Sequence, residues 1–283
     1  MIFNSLKNEQ KLILNALDKS QAIIHFKPDG SVLWANDNFL KAMGYTLPEI
    51  QGRHHSMFVD RDYKVSPEYA DFWESLRRGN FQAAEYKRIG KGGREIWIQA
   101  SYNPLLDTNG NVVKVVKYAT DITQQTLQNA DYKGQINAIG KSQAVIHFDL
   151  DGNILWANEN FVAATGYELD EIQGRHHSMF VGTEHAVSQE YKTFWETLKQ
   201  GMFQAAEYRR FGKGGREIWI QASYNPIFDP TGKPFKVVKY ATDITAQVNK
   251  RRENEQISAD VDSSLGKIVA SVDNATFQTN NAS

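Results

Sequence analysis

In several short segments of the chain, every second residue is apolar and the residues between are mostly polar. This period of two is typical of a strand with one buried face. In residues 96–102 the two sides are Ile96, Ile98 and Ala100 against Trp97, Gln99 and Ser101. Apolar residues 22–26 and 32–35 flank Pro28-Asp29-Gly30, which has the residue types of a turn. The pattern therefore predicts a hairpin near the start of the chain and a half-buried strand near residue 100.

Other segments have the spacing of an amphipathic helix. The first 20 residues place Phe3, Leu6, Ile13 and Leu17 near helical spacing, and they predict an N-terminal amphipathic helix. Residues 66–78 carry one apolar stripe and are followed by Gly79, which is placed to end the helix; the stripe consists of Tyr69, Phe72, Trp73 and Leu76.

The order of these elements defines the expected fold class. Residues 38–43 and 47–50 predict two short helical turns, and the polar residues 53–56 predict a loop. Residues 81–88 and 112–119 predict two further strands. Two strands, several short helices and three long strands indicate an α+β unit, with a five-stranded antiparallel sheet and helices on one face.

The whole pattern occurs twice. Residues 20–125 return as residues 142–247 at a constant offset of 122 without a gap, and residues 49–59 (EIQGRHHSMFV) return letter for letter as 171–181. The period exceeds that of solenoid repeats, so each copy is expected to close its own core. We expect an N-terminal helix (1–20), a first domain (21–123), a connecting helix (124–141), a second domain (142–245) and the start of a helical signalling region (246–283).

The last segment has the features of a short coiled-coil seam. Its apolar residues recur at alternating steps of four and three residues: Val261, Leu265, Ile268, Val272 and Ala275. We expect a longer helical region to continue beyond this point. The seam and the N-terminal stripe together suggest a homodimer.

Composition excludes several classes of function. The 32 basic and 33 acidic side chains give a formal net charge of −1, so no field of one sign attracts nucleic acid or an acidic membrane. There is no cysteine, which excludes disulfides, thiolate metal sites and cysteine nucleophiles. We found neither a signal peptide, nor a membrane-spanning run, nor the residue sets of nucleophilic catalysis. A cytoplasmic protein that is not an enzyme is expected.

At this point the sequence resembles a PAS domain, twice. The resemblance covers about 210 of the 283 residues. In the first copy it rests on these residues: Asp29-Gly30, residues 33–36 (LWAN), Asn38-Phe39, Gly44-Tyr45, Glu49-Ile50, Gly52, Phe72-Trp73, Leu76, Gly79, Lys91-Gly92-Gly93, Trp97-Ile98, Pro104 and Asp121-Ile122-Thr123. The PAS fold implies a ligand cavity between the inner face of the sheet and the helices.

The sequence is most similar to PAS domains of aerotaxis receptors, and of soluble chemoreceptors with two PAS domains ahead of a methyl-accepting region. That resemblance implies FAD in the cavity, with a tryptophan and an asparagine near the flavin at these positions: Trp73 and Asn36, Trp195 and Asn158. The sequence departs from the Arg-His-Pro-Asp of aerotaxis receptors at residues 59–62 (VDRD) and 181–184 (VGTE). Trp73 also lies on an apolar stripe, where core packing alone would explain it.

Histidines offer haem as the alternative cofactor; binding of no cofactor at all is the third possibility. The pairs His54-His55 and His176-His177 could each supply an imidazole ligand, with His55 and His177 as the candidates facing the cofactor. Adjacent residues point in different directions, so at most one of each pair can point inward. The other interpretation is a solvated histidine, or one bonded to the backbone.

The end of each copy has an Asp-x-Thr sequence that in PAS domains leads into a signalling helix: Asp121 and Thr123, Asp243 and Thr245. The resemblance therefore implies a sensory input module for redox, oxygen or a small ligand. Its partners would be a chemotaxis kinase and its adaptor, reached through the C-terminal region. The alternative is a ligand-free module for dimerisation. A kinase or cyclase input is disfavoured, because the tail begins a seam rather than a phosphoacceptor sequence.

Overall fold

The computed structural model describes the backbone of residues 2–281 and the side chains of residues 8–271. It divides into two compact units, Met1–Lys133 and Gly134–Ser283. The strands of the first unit are β1 (Ala22–Phe26), β2 (Val32–Ala35), β3 (Gln82–Ile89), β4 (Glu95–Leu106) and β5 (Val112–Asp121). Its helices are α1 (Ile2–Ser20), α2 (Asp37–Met43), α3 (Leu47–Ile50), α4 (Arg61–Lys64) and α5 (Pro67–Arg77).

The second unit repeats this order after a helix that starts in the first unit, α6 (Thr123–Ser142). Its strands are β6 (Ala144–Phe148), β7 (Ile154–Ala157), β8 (Gln204–Phe211), β9 (Glu217–Phe228) and β10 (Pro234–Asp243). Its helices are α7 (Glu159–Thr165), α8 (Leu169–Ile172), α9 (Thr183–Ala186), α10 (Gln189–Lys199) and α11 (Thr245–Asn281). The predicted α+β class, with two five-stranded antiparallel sheets, is confirmed.

Each sheet is antiparallel throughout, with the strand orders β2-β1-β5-β4-β3 and β7-β6-β10-β9-β8. In each unit the first strand therefore pairs with the last, β1 with β5 and β6 with β10, which closes the unit around one core. In the register of β4 and β5, Tyr102 lies directly opposite Lys117. As the alternation predicts, Ile96, Ile98 and Ala100 are buried.

Individual residues determine where α2 begins and ends and how the first hairpin turns. Asn36 caps α2 by accepting the Phe39 N–H, and Gly44 ends that helix in the left-handed conformation (φ 78°). Gly30 (φ 87°) closes the first hairpin, where a Cβ atom would lie 2.6 Å from His54 Nε2. Only glycine combines that backbone conformation with that close approach.

Residues 53–56 were predicted as a loop. In the structure a 3₁₀ turn begins within them at His55 and extends to Phe58. In the predicted N-terminal helix, Ile13 and Leu17 are exposed, whereas the side chains of Phe3 and Leu6 lie outside the described residues. In the predicted seam, Val261, Leu265 and Ile268 are exposed; Val272 and Ala275 lie outside the described side chains. Within the described part of the chain, no helix has the length and apolar character needed to span a bilayer.

Candidate functional site

A polar cluster lies inside each unit, centred on a histidine with no exposed surface. In the first unit this is His55, which the turn after α3 points into the core. Its Nδ1 lies 2.9 Å from the hydroxyl of Tyr69 on α5, and its Nε2 lies 3.0 Å from the hydroxyl of Tyr102 on β4. In the second unit His177 bridges Tyr191 (2.8 Å) and Tyr224 (3.0 Å) in the same way. We call each set the core cluster.

The bonding pattern fixes how protons are placed in the first core cluster. Arg88 donates to the Tyr102 oxygen from Nε at 3.3 Å and from Nη2 at 3.0 Å. A guanidinium can only donate, so the two lone pairs of that oxygen are used, and the Tyr102 hydroxyl donates to His55 Nε2. His55 Nδ1 then carries the proton and donates to Tyr69. Burial lowers the pKa of His55 well below its usual range, which keeps the ring neutral.

The cluster also contains two buried cations. Arg88 on β3 and Lys117 on β5 are 2% and 1% exposed, and Arg210 and Lys239 are their buried equivalents in the second unit. Among the described residues no Asp or Glu is buried with them. Burial lowers the pKa of Lys117 well below its usual range and lowers that of Lys239.

Sequence reasoning missed part of this cluster. A charged residue of a predicted strand, such as Arg88, is most simply interpreted as solvated or paired across the sheet, and this is wrong for Arg88 because its guanidinium points inward onto Tyr102. Lys117 was not singled out. The available signal was the period of β5, which places Lys117 on the same face as Val115 and Ala119.

The histidine pair divides as the geometry of adjacent residues predicts. His55 points inward, so the expectation that a histidine in this segment is solvated is wrong for it. His54 bonds the backbone: its Nε2 donates to the Asp29 carbonyl (2.9 Å) and its Nδ1 accepts the Ser56 N–H (3.1 Å). His176 has the same backbone partners, and its Nδ1 also lies 2.9 Å from the Ser178 hydroxyl. All four ring nitrogens of His54 and His55 thus have protein partners.

Trp73 belongs to the aromatic wall of the cluster. Its ring meets Phe26 edge-on with a centroid distance of 5.7 Å and His55 at 5.4 Å. The indole Nε1 is buried and makes no hydrogen bond within the described residues, and the same holds for Trp195. Both tryptophans contribute apolar burial whatever else they do.

Asn36 and Asn158 lie away from the core clusters. The Oδ1 of Asn36 accepts from the Ile23 and Phe39 amides, and its Nδ2 donates to the carbonyls of Asp18 and Gln21. These bonds join α1, β1 and α2. Asn158 makes the equivalent set of bonds to the end of α6. The amide is fully used in this structural role.

The interior of the second unit contains a small cavity of about 20 Å³ beside the cluster. Pockets that hold cofactor-sized ligands measure roughly 300 Å³ or more. The cavity of the second unit is too small for a flavin or a haem in this packing, and the ring nitrogens of His55 and His177 already have protein partners. Among the described residues no group of three or more potential metal ligands comes together.

The Asp-x-Thr sequences connect each sheet to the following helix. The Thr123 hydroxyl oxygen accepts the Trp97 N–H of β4 at 2.9 Å, and the Asp121 carboxylate accepts the Thr123 N–H at 2.9 Å. In the second unit the Thr245 hydroxyl oxygen accepts the Trp219 N–H at 3.0 Å, and the Asp243 carboxylate accepts the Thr245 N–H at 2.8 Å. Each helix thus starts bonded to the strand that carries the cluster tyrosine.

Comparison with known proteins agrees with this architecture. The family model described as the PAS fold matches residues 32–119 and 154–241. The chain is 40% identical over 235 residues to the biofilm dispersion protein BdlA of Pseudomonas aeruginosa, covering 83% of this chain and 56% of that protein.

Two further relatives are sensors by name. The chain is 30% identical over 115 residues to the aerotaxis receptor of Escherichia coli, covering 40% of this chain and 22% of the receptor. It is 21% identical over 264 residues to the oxygen sensor protein DosP of Escherichia coli, covering 89% of this chain and 31% of that protein. The chain spans about half or less of the length of these relatives.

Proposed function

Because the chain belongs to the PAS fold family, with two copies of the domain, we propose that it is the sensory input region of a chemotaxis-type signal transducer. Each core senses a small ligand, oxygen or a redox change, and the helix after Asp-x-Thr carries the result onward. The names of the dispersion protein, the aerotaxis receptor and the oxygen sensor support this role. The partners would be a chemotaxis kinase and its adaptor.

The observation that carries the proposal is the short path from core to helix. Tyr224 of the core cluster and Trp219 lie on the same strand, β9, and Trp219 bonds Thr245 at the start of α11. Val248, one turn later, is buried, so the first turn of α11 packs against its unit. A change in the cluster that shifts β9 therefore changes the packing of α11, which is a population shift between two arrangements.

A chimeric receptor tests this role. The chain is fused ahead of the signalling region of a methyl-accepting receptor, and kinase activity is measured while oxygen, redox poise and the concentrations of small ligands are varied. We expect a stimulus-dependent output that Thr245→Ala weakens, because the hydroxyl that accepts the Trp219 N–H is lost. Thr242→Ala, on the exposed end of β10, is the matched control. A response that is equal in all three proteins, or absent in all, contradicts the proposal.

An absorbance spectrum tests the cofactor. The resemblance to aerotaxis receptors implies FAD and the histidine pairs suggest haem, whereas the packed interior favours a smaller ligand. We expect the purified chain to be colourless and to stay colourless after incubation with FAD or haemin. A flavin spectrum or a Soret band would show that the core cluster opens to admit the cofactor.

Self-association is supported by exposed apolar side chains on the flanking helices. On α1 they are Leu12, Ile13, Leu14 and Leu17, and on α11 they are Ile257, Val261, Leu265, Ile268 and Val269. Such stripes are typical of helices that pair in a dimer. Sedimentation should show a dimer that Leu265→Glu weakens. A monomer would show that the exposed stripes of α1 and α11 do not dimerise this chain.

A further inference from the structure

The second unit contains a buried pair of cations without a counter-ion. Arg210 and Lys239 are 7% and 2% exposed, and among the described residues no Asp or Glu is buried with them. Buried charges are normally paired, because removal from water strongly disfavours an isolated ion. Burial lowers the pKa of Lys239, and the nearby Arg210 lowers it further, whereas the Tyr224 hydroxyl opposes the shift.

One polar atom of this pair has no hydrogen-bond partner among the described residues. Arg210 donates from Nη1 to the Arg209 carbonyl and from Nη2 to the Tyr224 hydroxyl at 3.2 Å, but its Nε is buried and makes no hydrogen bond within the described chain. In the first unit the equivalent Nε of Arg88 bonds Tyr102. A buried donor without a partner is destabilising by about 1–3 kcal/mol.

The cavity of about 20 Å³ lies against these two cations. Arg210 of β8, Lys239 of β10 and Thr165 of α7 line it, together with apolar side chains. The space exceeds the minimum that a single water molecule requires. Its lining is thus polar on the side of the cations and apolar on the other side.

A single difference between the copies accounts for space at this position. Thr165 stands where the first unit has Met43, which is 1% exposed and part of the apolar core. The shorter side chain of Thr165 turns its hydroxyl back to donate to the Phe161 carbonyl at 2.9 Å. It therefore leaves the volume of the longer methionine side chain unfilled.

We propose that this cavity in the second unit binds a compact anion, a small carboxylate or nitrate, between Arg210 and Lys239. The inference rests on the proposed function and names the ligand class of one of its two domains. A planar oxyanion matches the donors of a guanidinium and supplies the negative charge that the pair lacks. At about 20 Å³ the cavity exceeds the space for one water molecule only slightly, so it admits only the smallest oxyanions, and their entry must shift the lining side chains.

The position of the cavity connects the anion to the output. Asp243 of the Asp-x-Thr sequence lies on the cavity rim. Its carboxylate is exposed and accepts the Thr245 N–H, so it caps α11 rather than neutralising the cations. An anion that draws Lys239 and Arg210 together would act on β10 within reach of the start of α11.

Calorimetric titration of the whole chain with sodium formate, acetate, nitrate and chloride tests the inference. We expect at least one of the compact oxyanions to bind at a single site per chain. Thr165→Met fills the cavity with the residue of the first unit and should abolish that binding. Lys239→Met should weaken it by about tenfold or more, since charged hydrogen bonds contribute about 1.5–3 kcal/mol.

Lys117→Met is the matched control in the first unit, and it should leave the affinity unchanged. Equal binding by the wild type, Thr165→Met and Lys239→Met would overturn the inference, as would no binding of any of the four salts. If Thr165→Met does not fold, Lys239→Met against Lys117→Met decides alone. The failure is distinct from that of the sensory role, because the chimeric receptor would still respond to a stimulus other than a compact anion.

Discussion

The two domains share their buried polar chemistry but differ in how the space beside it is filled. The His–Tyr–Arg–Lys cluster is present in both, with similar distances. Met43 fills the first core, whereas Thr165 leaves a cavity in the second. The loop before α4 also differs, because Asp60 caps that helix and Gly182 does not cap α9. Duplication has thus kept the structural part of the site and changed the part that a ligand would contact.

The largest expected effect is common to both domains. Removal of the central imidazole by His55→Ala or His177→Ala takes one hydrogen-bond partner from each of two tyrosine hydroxyls and opens a cavity. Each variant should lower the free energy of unfolding of its own unit by about 3–5 kcal/mol, measured by urea denaturation. His25→Ala, on a half-buried ring, is the control with a much smaller loss. A large difference between the His55 and His177 variants would break the equivalence of the clusters.

Exchange of Met43 and Thr165 between the two units should show how differently the two cores are packed. Met43→Thr should destabilise the first unit by about 2 kcal/mol or more, because it removes buried methylene groups. Thr165→Met should leave the second unit within about 1 kcal/mol of the wild type, since the cavity accepts the larger side chain. Thermal unfolding of both variants measures this. Equal destabilisation by the two exchanges would mean that the cavity is not accessible to a side chain.

The buried histidines predict a loss of stability in mild acid. Burial lowers the pKa of His177 well below its unfolded value of about 6.5. The unfolded chain therefore takes up a proton first as the pH falls. The free energy of unfolding therefore has its full value above about pH 6.5. Below that pH it falls by about 1.4 kcal/mol per pH unit for each buried histidine. His177→Gln should reduce this slope in the second unit only; an unchanged slope would assign it to other groups.

The smallest effect concerns the differing loop. Asp60 accepts the Tyr63 N–H at the start of α4, so Asp60→Ala should destabilise the first unit by about 1 kcal/mol. Gly182 has an extended backbone that aspartate can adopt, with φ −65° and ψ 148°. Gly182→Asp should therefore stabilise the second unit slightly in a urea titration. A loss of stability there would show that the loop needs glycine for another reason.

The sequence predicted the fold better than the site, for a physical reason. Alternation at residues 96–102 and the stripe of 66–78 report burial directly, and the repeat made two independent units evident. The core cluster depends on which charged side chains turn inward, and Arg88 and Lys117 read as ordinary strand charges. The direction of His55 was open because its segment is polar, although the sequence predicted that at most one histidine of each pair points inward. The cavity beside Thr165 depends on packing volume, which periodicity does not reveal.

Amide hydrogen exchange in Tyr224→Phe tests the central claim most directly, namely that the core cluster is coupled to the helix that follows it. The change removes one hydroxyl that joins His177 to Arg210. We predict altered exchange at Trp219 and in the first turn of α11 through Val248, with the first unit unchanged. Tyr102→Phe should give the equivalent result at Trp97 and the start of α6. Exchange that changes only around the cluster, with α11 as in the wild type, would contradict the account.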